Sequence, residues 1–203
     1  MTTFERDGHI IVPNFLLPQA LSSLLAMVDS CPYRVNHQRP PIASMNPLTI
    51  AGSGSEARFK QIIRGEILRA NQTIAAMYST VASIATVLIG RALEPAPLEY
   101  WDSSLNCNIY ERPGDHQGWH VDTNPVAALV FLASPPDVGL IVEVNEDNVQ
   151  TVIPKPGDLV ILDGTKPHCV SPIANERRIN LSFNLYPPGE YSRPSQTDSL
   201  LYA

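Results

Sequence analysis

The residues best equipped for chemistry lie in Trp119-His120-Val121-Asp122 and in the stretch that answers it some fifty positions later. Alternate side chains of an extended strand share a face, so a strand over Gly118–Asp122 turns His120 and Asp122 to one side and Val121 to the other. A neutral imidazole beside a carboxylate supplies two donors of a metal site. The third donor is assigned to His168, 48 residues beyond His120, past the run Pro156-Gly157-Asp158-Leu159-Val160-Ile161-Leu162-Asp163. Two histidines and one carboxylate on one side of a metal leave the opposite positions open. That donor set suits Fe(II), while Zn²⁺, Co²⁺ or Ni²⁺ would occupy it without redox turnover. Any one of these residues alone reads equally well as a surface or hydrogen-bonded core residue; the combination and its context argue for a site.

Beyond His168 comes Arg177-Arg178-Ile179-Asn180-Leu181-Ser182-Phe183. The strand period places Arg178, Asn180, Ser182 and Asn184 on one face and Ile179, Leu181, Phe183 and Leu185 on the other. The polar set would line a barrel interior and the apolar set would pack outward against helices. A guanidinium matches a carboxylate bidentately and stays charged when desolvated, which makes Arg178 the candidate for an organic-acid co-substrate. Arg177 points the opposite way and reads as structural or solvent-facing. Upstream, Asn106, Asn108 and Tyr110 share a face of another strand. Three inward polar groups are costly unless they meet ligand, water or one another, and an internal hydrogen-bonded network is the competing account. Cys107 and Cys169 fall out of phase with these positions and read as packing residues.

With these features together, residues from about Ser104 to Tyr186 resemble the core of the Fe(II)/2-oxoglutarate-dependent oxygenase superfamily, a double-stranded β-helix (a jelly-roll, cupin-like barrel). The opening, Phe4-Glu5-Arg6-Asp7-Gly8-His9-Ile10-Ile11-Val12-Pro13, resembles the phytanoyl-CoA-dioxygenase-like branch, and Tyr110 ahead of the His-x-Asp motif resembles prolyl-hydroxylase-like members, whose tyrosine faces the co-substrate. The resemblance implies that His120, Asp122 and His168 hold Fe(II). It also implies that Arg178, Ser182, Tyr110 and Asn108 bind 2-oxoglutarate, and that O₂ takes the remaining position. Succinate and CO₂ would accompany oxidation of a substrate C–H bond, with hydroxylation as the usual ending. Desaturation, cyclisation or epimerisation would use the same ligands.

Some members carry the cation one residue nearer the distal histidine, which keeps Arg177 open. Asp122 departs from the related halogenases, which have Gly or Ala there. The short spacing between ligands departs from the phytanoyl-CoA-like pattern and argues against a long acyl-CoA substrate. Substrate contacts are assigned to Trp119, Asn124, Asn106 and Arg39, each with packing, a turn or a solvated surface as its alternative. The expected substrate is a small metabolite or an amino-acid-like molecule. A prolyl-type protein hydroxylase is one alternative. A cupin-like metal-binding or sensor module without oxidation is another, though it would have no need of a co-substrate cation.

The elements that must position these residues follow from periodicity. A short helix or turn leads to a strand over His9–Val12, and Pro18–Asp29 has a helical apolar period. Residues 31–55 are rich in proline and glycine without sustained periodicity and read as a lid loop or a plain surface loop. From Glu56 to about Leu93 an i, i+3, i+4 stripe predicts helix, broken near Asn71 or Gly90, with Met77 and Tyr78 in the core. Eight short strands follow, over Leu105–Tyr110, Gly118–Asp122, Val126–Leu132, Leu140–Val144, Val149–Ile153, Asp158–Leu162, His168–Pro172 and Arg178–Tyr186.

The expected class is therefore α+β, one domain over 1–203. Residues 1–103 are its supporting part, 104–186 the barrel and 187–203 a tail. With 203 residues, 44% hydrophobic and 17% charged, the chain is neither disordered nor a polyelectrolyte. A net charge of −6 without a basic run disfavours nucleic acid and anionic membrane. Three irregularly spaced cysteines suit free thiols in a reducing compartment. No signal peptide and no uninterrupted apolar run of ~18–20 residues are visible. A cytoplasmic protein is the expectation, with a homodimer left open.

Overall fold

The computed structural model describes residues 2–39, 58–145 and 148–191, with the side chains of Arg39, Asp102 and Ser103 outside that description. The chain opens with α1 (Thr3–Asp7), closed at its N-terminus by a Thr2/Glu5 capping box and at its C-terminus by Gly8 with φ +72°. β1 (His9–Val12) and α2 (Pro18–Ser30) follow, the latter with Pro18 in its first turn, where a missing N–H costs nothing. Next come β2 (Val35–Arg39), β3 (Arg58–Arg64), α3 (Gly65–Leu68) and α4 (Gln72–Ile89). The Asn71 side chain accepts from the N–H groups of Thr73 and Ile74 to start α4, and Gly90 ends it at φ +78°. After β4 (Glu94–Pro95), a 3₁₀ turn and α5 (Trp101–Ser104), the chain is strand-built. The remaining strands are β5 (Leu105–Tyr110), β6 (His116–His120), β7 (Val126–Ala133), β8 (Leu140–Asn145), β9 (Asn148–Val152), β10 (Leu159–Asp163), β11 (His168–Val170) and β12 (Arg178–Tyr186).

All pairing is antiparallel. One layer runs β1-β10-β7-β12-β5 and the facing layer β6-β11-β8-β9, with β3 paired to both β5 and β6 and so joining the two. Successive strands mostly cross from one layer to the other, which is the double-stranded β-helix. The inner strands of the larger layer, β10, β7 and β12, are buried on both faces, so β7 reads Val-Ala-Ala-Leu-Val-Phe-Leu-Ala with no polar alternation. Its outer face meets the helices: Val130, Ile161, Leu181 and Phe183 pack in one cluster with Leu24 and Val28 of α2 and with Ile74, Tyr78, Val81 and Ala85 of α4. A second cluster, including Leu129, Phe131, Leu140, Val142 and Val160, fills the space between the layers.

Two expectations are corrected. Helix was expected from Glu56 onward, yet Arg58–Arg64 is a strand and α4 begins only at Gln72. Arg58 and Lys60 are buried with Ile62 on one face of β3, so cations occupy positions where the strand period demands apolar residues. The remaining isoleucines then mimic a helical stripe. Within 31–55, Val35–Arg39 forms β2 on the outer edge of β3; the lid assignment over 40–55 lies outside the described residues. Among the described helices, α4 is long and apolar enough to cross a membrane by length and composition alone, although polar residues interrupt it throughout. In the fold its buried stripe faces the larger layer.

Candidate metal and co-substrate site

His120 closes β6 and His168 opens β11, and the two are directly paired across the smaller layer. Their rings tilt against each other with centroids 4.2 Å apart. Each imidazole Nδ1 lies within hydrogen-bonding distance of a carbonyl, 2.8 Å from Gly118 O and 2.9 Å from Lys166 O. A carbonyl only accepts, so Nδ1 carries the proton in both rings and Nε2 keeps its lone pair. Both Nε2 atoms face Asp122, at 3.7 Å from Oδ1 and Oδ2 respectively. That is too long for a hydrogen bond and shorter than two metal–ligand bonds of about 2.1 Å laid end to end. The donor atoms of His120, Asp122 and His168 all lie within 4.8 Å of one another. Burial, then the neighbouring His168, holds the His120 imidazole well below its usual pKa, so it is neutral and ready to donate.

Strand alternation alone does not bring Asp122 here, because β6 ends at His120. The Asp122 N–H donates to Gly164 O at 2.7 Å, pinning the loop after β6 to the turn after β10. A Cβ on Gly164 would stand 2.2 Å from Asn124 O and 3.0 Å from Asp122 Cβ, so only glycine permits this approach.

The three donors open into a cavity of about 130 Å³ between the layers. Arg178, Asn180, Ser182 and Asn184 of β12 line it, as do Asn106, Asn108 and Tyr110 of β5, so both expected polar faces turn inward. Arg178 is only 1% exposed. Its guanidinium carbon sits 5.0 Å from the Phe131 ring centroid, and its Nε and Nη1 are buried without a hydrogen-bond partner. Burial draws its pKa down to about 10, which leaves it charged at neutral pH. Arg177 points outward and donates to both Asp29 carboxylate oxygens at 2.6 and 3.1 Å. Tyr110, directly paired with Arg178, is pushed up to about 12 by burial and stays protonated.

Of the substrate assignments, Asn124 and Asn106 reach the cavity wall. Asn124 also donates to Val126 O at 2.8 Å, and Asn106 Oδ1 is buried without a partner. Trp119 does not reach it; that residue is half-buried and outside the lining. Strand alternation turns it away from the face of the adjacent His120. A register shift acts instead on Gln117: His120 pairs with His168 but Gln117 with Val170, a bulge that faces Gln117 and His120 the same way. The Arg39 side chain lies outside the described residues. Cys107 and Cys169 are buried packing residues, and neither lines the cavity.

Sequence reasoning missed Arg58 and Lys60 of β3 and Gln117 of β6, all in the wall. Lys60 Nζ donates to Asn108 Oδ1 at 2.7 Å and Gln117 Oε1 at 2.6 Å, and Gln117 Nε2 lies 2.9 Å from His120 Nε2. The alternation Arg58-x-Lys60-x-Ile62 was the available signal, hidden because it presents charges inward.

The chain has the double-stranded β-helix fold, and solved structures that share it include a 2OG-Fe(II) oxygenase family member. The α-ketoglutarate-dependent epimerase SnoN from nogalamycin biosynthesis is similar over 94% of this chain and 89% of its own, with a TM-score of 0.67 at 16% identity. A further structure of SnoN holds Fe³⁺, α-ketoglutarate and nogalamycin RO. HygX from Streptomyces hygroscopicus, with nickel and 2-oxoglutarate bound, matches 92% of this chain and 85% of its own (TM-score 0.62, 12% identity). A Pseudomonas putida prolyl-4-hydroxylase matches 90% and 94% (TM-score 0.56, 20% identity). No protein-family model and no curated protein matches the sequence.

Proposed function

We propose that this protein is an Fe(II)/2-oxoglutarate-dependent dioxygenase that oxidises a C–H bond of a small metabolite, with hydroxylation as the favoured outcome. One observation carries the reading. A buried, charged guanidinium with two unpartnered nitrogens, Arg178, shares a cavity with a two-histidine, one-carboxylate donor set. A buried cation without a counter-charge is costly, and a co-substrate carboxylate is the group that removes that cost.

The donor set fits iron, and the unpartnered guanidinium of Arg178 fits a carboxylate. When bound at His120, Asp122 and His168 together with 2-oxoglutarate, iron would supply O₂ activation coupled to decarboxylation of the co-substrate to succinate and CO₂. The protein's own residues do the rest. Arg178 and the Ser182 hydroxyl would hold the distal carboxylate, and the Phe131 ring lies against the guanidinium. The carbonyls of Gly118 and Lys166 hold each imidazole in the tautomer that donates through Nε2. Leu129 and Leu162 from the larger layer and Leu140 and Val170 from the facing one supply apolar lining to the cavity. The fold alone does not select the outcome, since its similar structures include an epimerase and a prolyl hydroxylase.

The test is anaerobic. Fe(II) followed by 2-oxoglutarate, added to purified protein, should produce a weak visible charge-transfer band that is absent in Asp122→Ala, with the circular dichroism unchanged. Iron uptake without the band would favour the non-oxidative cupin-like reading, and a band retained in Asp122→Ala would sink the metal assignment.

A further inference from the structure

We propose that Gln117 of β6 is a positioning residue of the metal site, handing one N–H from the His120 lone pair to the chelating end of the co-substrate. The inference rests on the oxygenase reading and adds to it a residue that acts between metal and co-substrate. Two donors settle which way the Gln117 carboxamide points. The Lys60 ammonium has hydrogens and no lone pair, so the group 2.6 Å from its Nζ is the carbonyl oxygen Oε1. The Tyr110 hydroxyl donates to the same oxygen at 3.4 Å. The amide nitrogen is thereby turned to His120, whose Nε2 lies 2.9 Å away. With Nδ1 protonated against Gly118 O, that Nε2 carries one lone pair, and the amide N–H points at it.

A metal held by His120 uses the same lone pair, so the amide N–H and the metal compete for one acceptor. Once the metal has taken it, the N–H needs another partner, because a buried donor left unmade is costly. The cavity wall identifies that partner. Tyr110 is paired with Arg178 across β5 and β12 and touches Gln117, which in turn touches His120. The series Arg178, Tyr110, Gln117, His120 thus runs from the group assigned to the distal carboxylate to a metal donor. A 2-oxoglutarate that bridges those two ends must lie along it, and Gln117 stands where its keto-acid end meets the metal. Gln117 is buried and anchored through Oε1, so its N–H passes from Nε2 to a co-substrate oxygen without the carboxamide leaving Lys60.

The test measures two affinities that the proposal moves in opposite directions. Co(II) is titrated into the full chain against a chromogenic chelator, and 2-oxoglutarate is then titrated calorimetrically into the Co(II)-loaded protein. Gln117→Met keeps the length of the side chain and removes the N–H. Gln117→Glu removes it as well but keeps an oxygen for Lys60. Gln117→Met should bind Co(II) about two- to tenfold more tightly than wild type and 2-oxoglutarate about two- to tenfold more weakly, the range of one neutral hydrogen bond. Gln117→Glu should change in the same two directions. In the Fe(II) protein the charge-transfer band of the chelate should move to higher energy in Gln117→Met, because the lost hydrogen bond had stabilised the end of the co-substrate that receives the charge.

A fall in both affinities together overturns the proposal and gives Gln117 a structural role only. Unchanged 2-oxoglutarate affinity overturns it too, since the N–H would then not reach the co-substrate. If Gln117→Met does not fold, Gln117→Glu carries both measurements. If wild type takes up Co(II) but not 2-oxoglutarate, the oxygenase reading falls and the hand-over falls with it. The Co(II) comparison then still decides whether the amide and the metal share the His120 lone pair.

Discussion

Arg178 and Arg177 are adjacent in sequence and opposite in circumstance. The first is buried with unpartnered nitrogens, and the second holds Asp29 in an exposed bidentate pair. In the proposed role, Arg178→Ala would remove charge-assisted hydrogen bonds to the co-substrate carboxylate worth about 1.5–3 kcal/mol, so the 2-oxoglutarate requirement should rise roughly 10- to 100-fold. Arg177→Ala should leave that requirement unchanged and cost about 0–1 kcal/mol of stability, because water and salt already screen the pair. Titrating 2-oxoglutarate against succinate release in both variants decides this, and the reverse result would move the role to Arg177. This distinction was legible in the sequence, because the two-residue period of β12 is a local property. Gln117 was not legible, since a bulge in β6 shifts the register that would have revealed it.

Two elements hold the site in place through contacts that no local pattern encodes. The loop after β6 carries Asp122 and is pinned by Gly164, where an added methyl collides with Asn124 O and Asp122 Cβ. Gly164→Ala should weaken metal binding about 10- to 100-fold, as disruption of an orienting contact does, measurable by competition with a chromogenic chelator. Unchanged affinity would show that the loop is positioned by something else. On the other side, α4 is tied to the strands by Tyr78. Its hydroxyl contacts the carbonyls of Ser104 and Asn184 and accepts from the Ala96 N–H at 3.3 Å. Tyr78→Phe leaves buried backbone groups unsatisfied at a cost of about 1–3 kcal/mol, lowering the thermal midpoint by several degrees. No change in midpoint would mean that water replaces the hydroxyl. Tyr78 was placed in the core from helical periodicity; that its hydroxyl links α4 to β12, the strand of Arg178, emerged only in three dimensions.

For the whole molecule, the crowding of cations around β3 has a consequence for stability against pH. His37 of β2 is held down to about 4 by burial and then by Lys60, Arg58 and Arg64. Its folded pKa is below the unfolded value near 6.5, so the unfolded chain takes up the proton first as pH falls. Stability is therefore full above about 6.5 and declines toward about 4, by at most roughly 1.4 kcal/mol per pH unit from this residue. Denaturant titrations across that window should show a shallower acid limb in His37→Gln than in wild type. Equal slopes would remove His37 as a source of acid lability.

The sequence by itself determined what depends on short-range geometry. Helical periods placed α2 and α4, alternation turned both β12 and β5 polar-side inward, and the residue types of His120, Asp122 and His168 named a metal chemistry before any distance was known. The tertiary structure alone decided what depends on pairing between distant segments. It put Arg58 and Lys60 of β3 into the cavity wall, where buried cations had disguised a strand as a helix. It set Gly164 against Asp122 and paired His168 with His120 across the sheet. Local conformation is set by neighbours a few residues away. A site assembled from eight strands and the loop after β6 is set by register, which long-range pairing and the burial of one face of each strand select together.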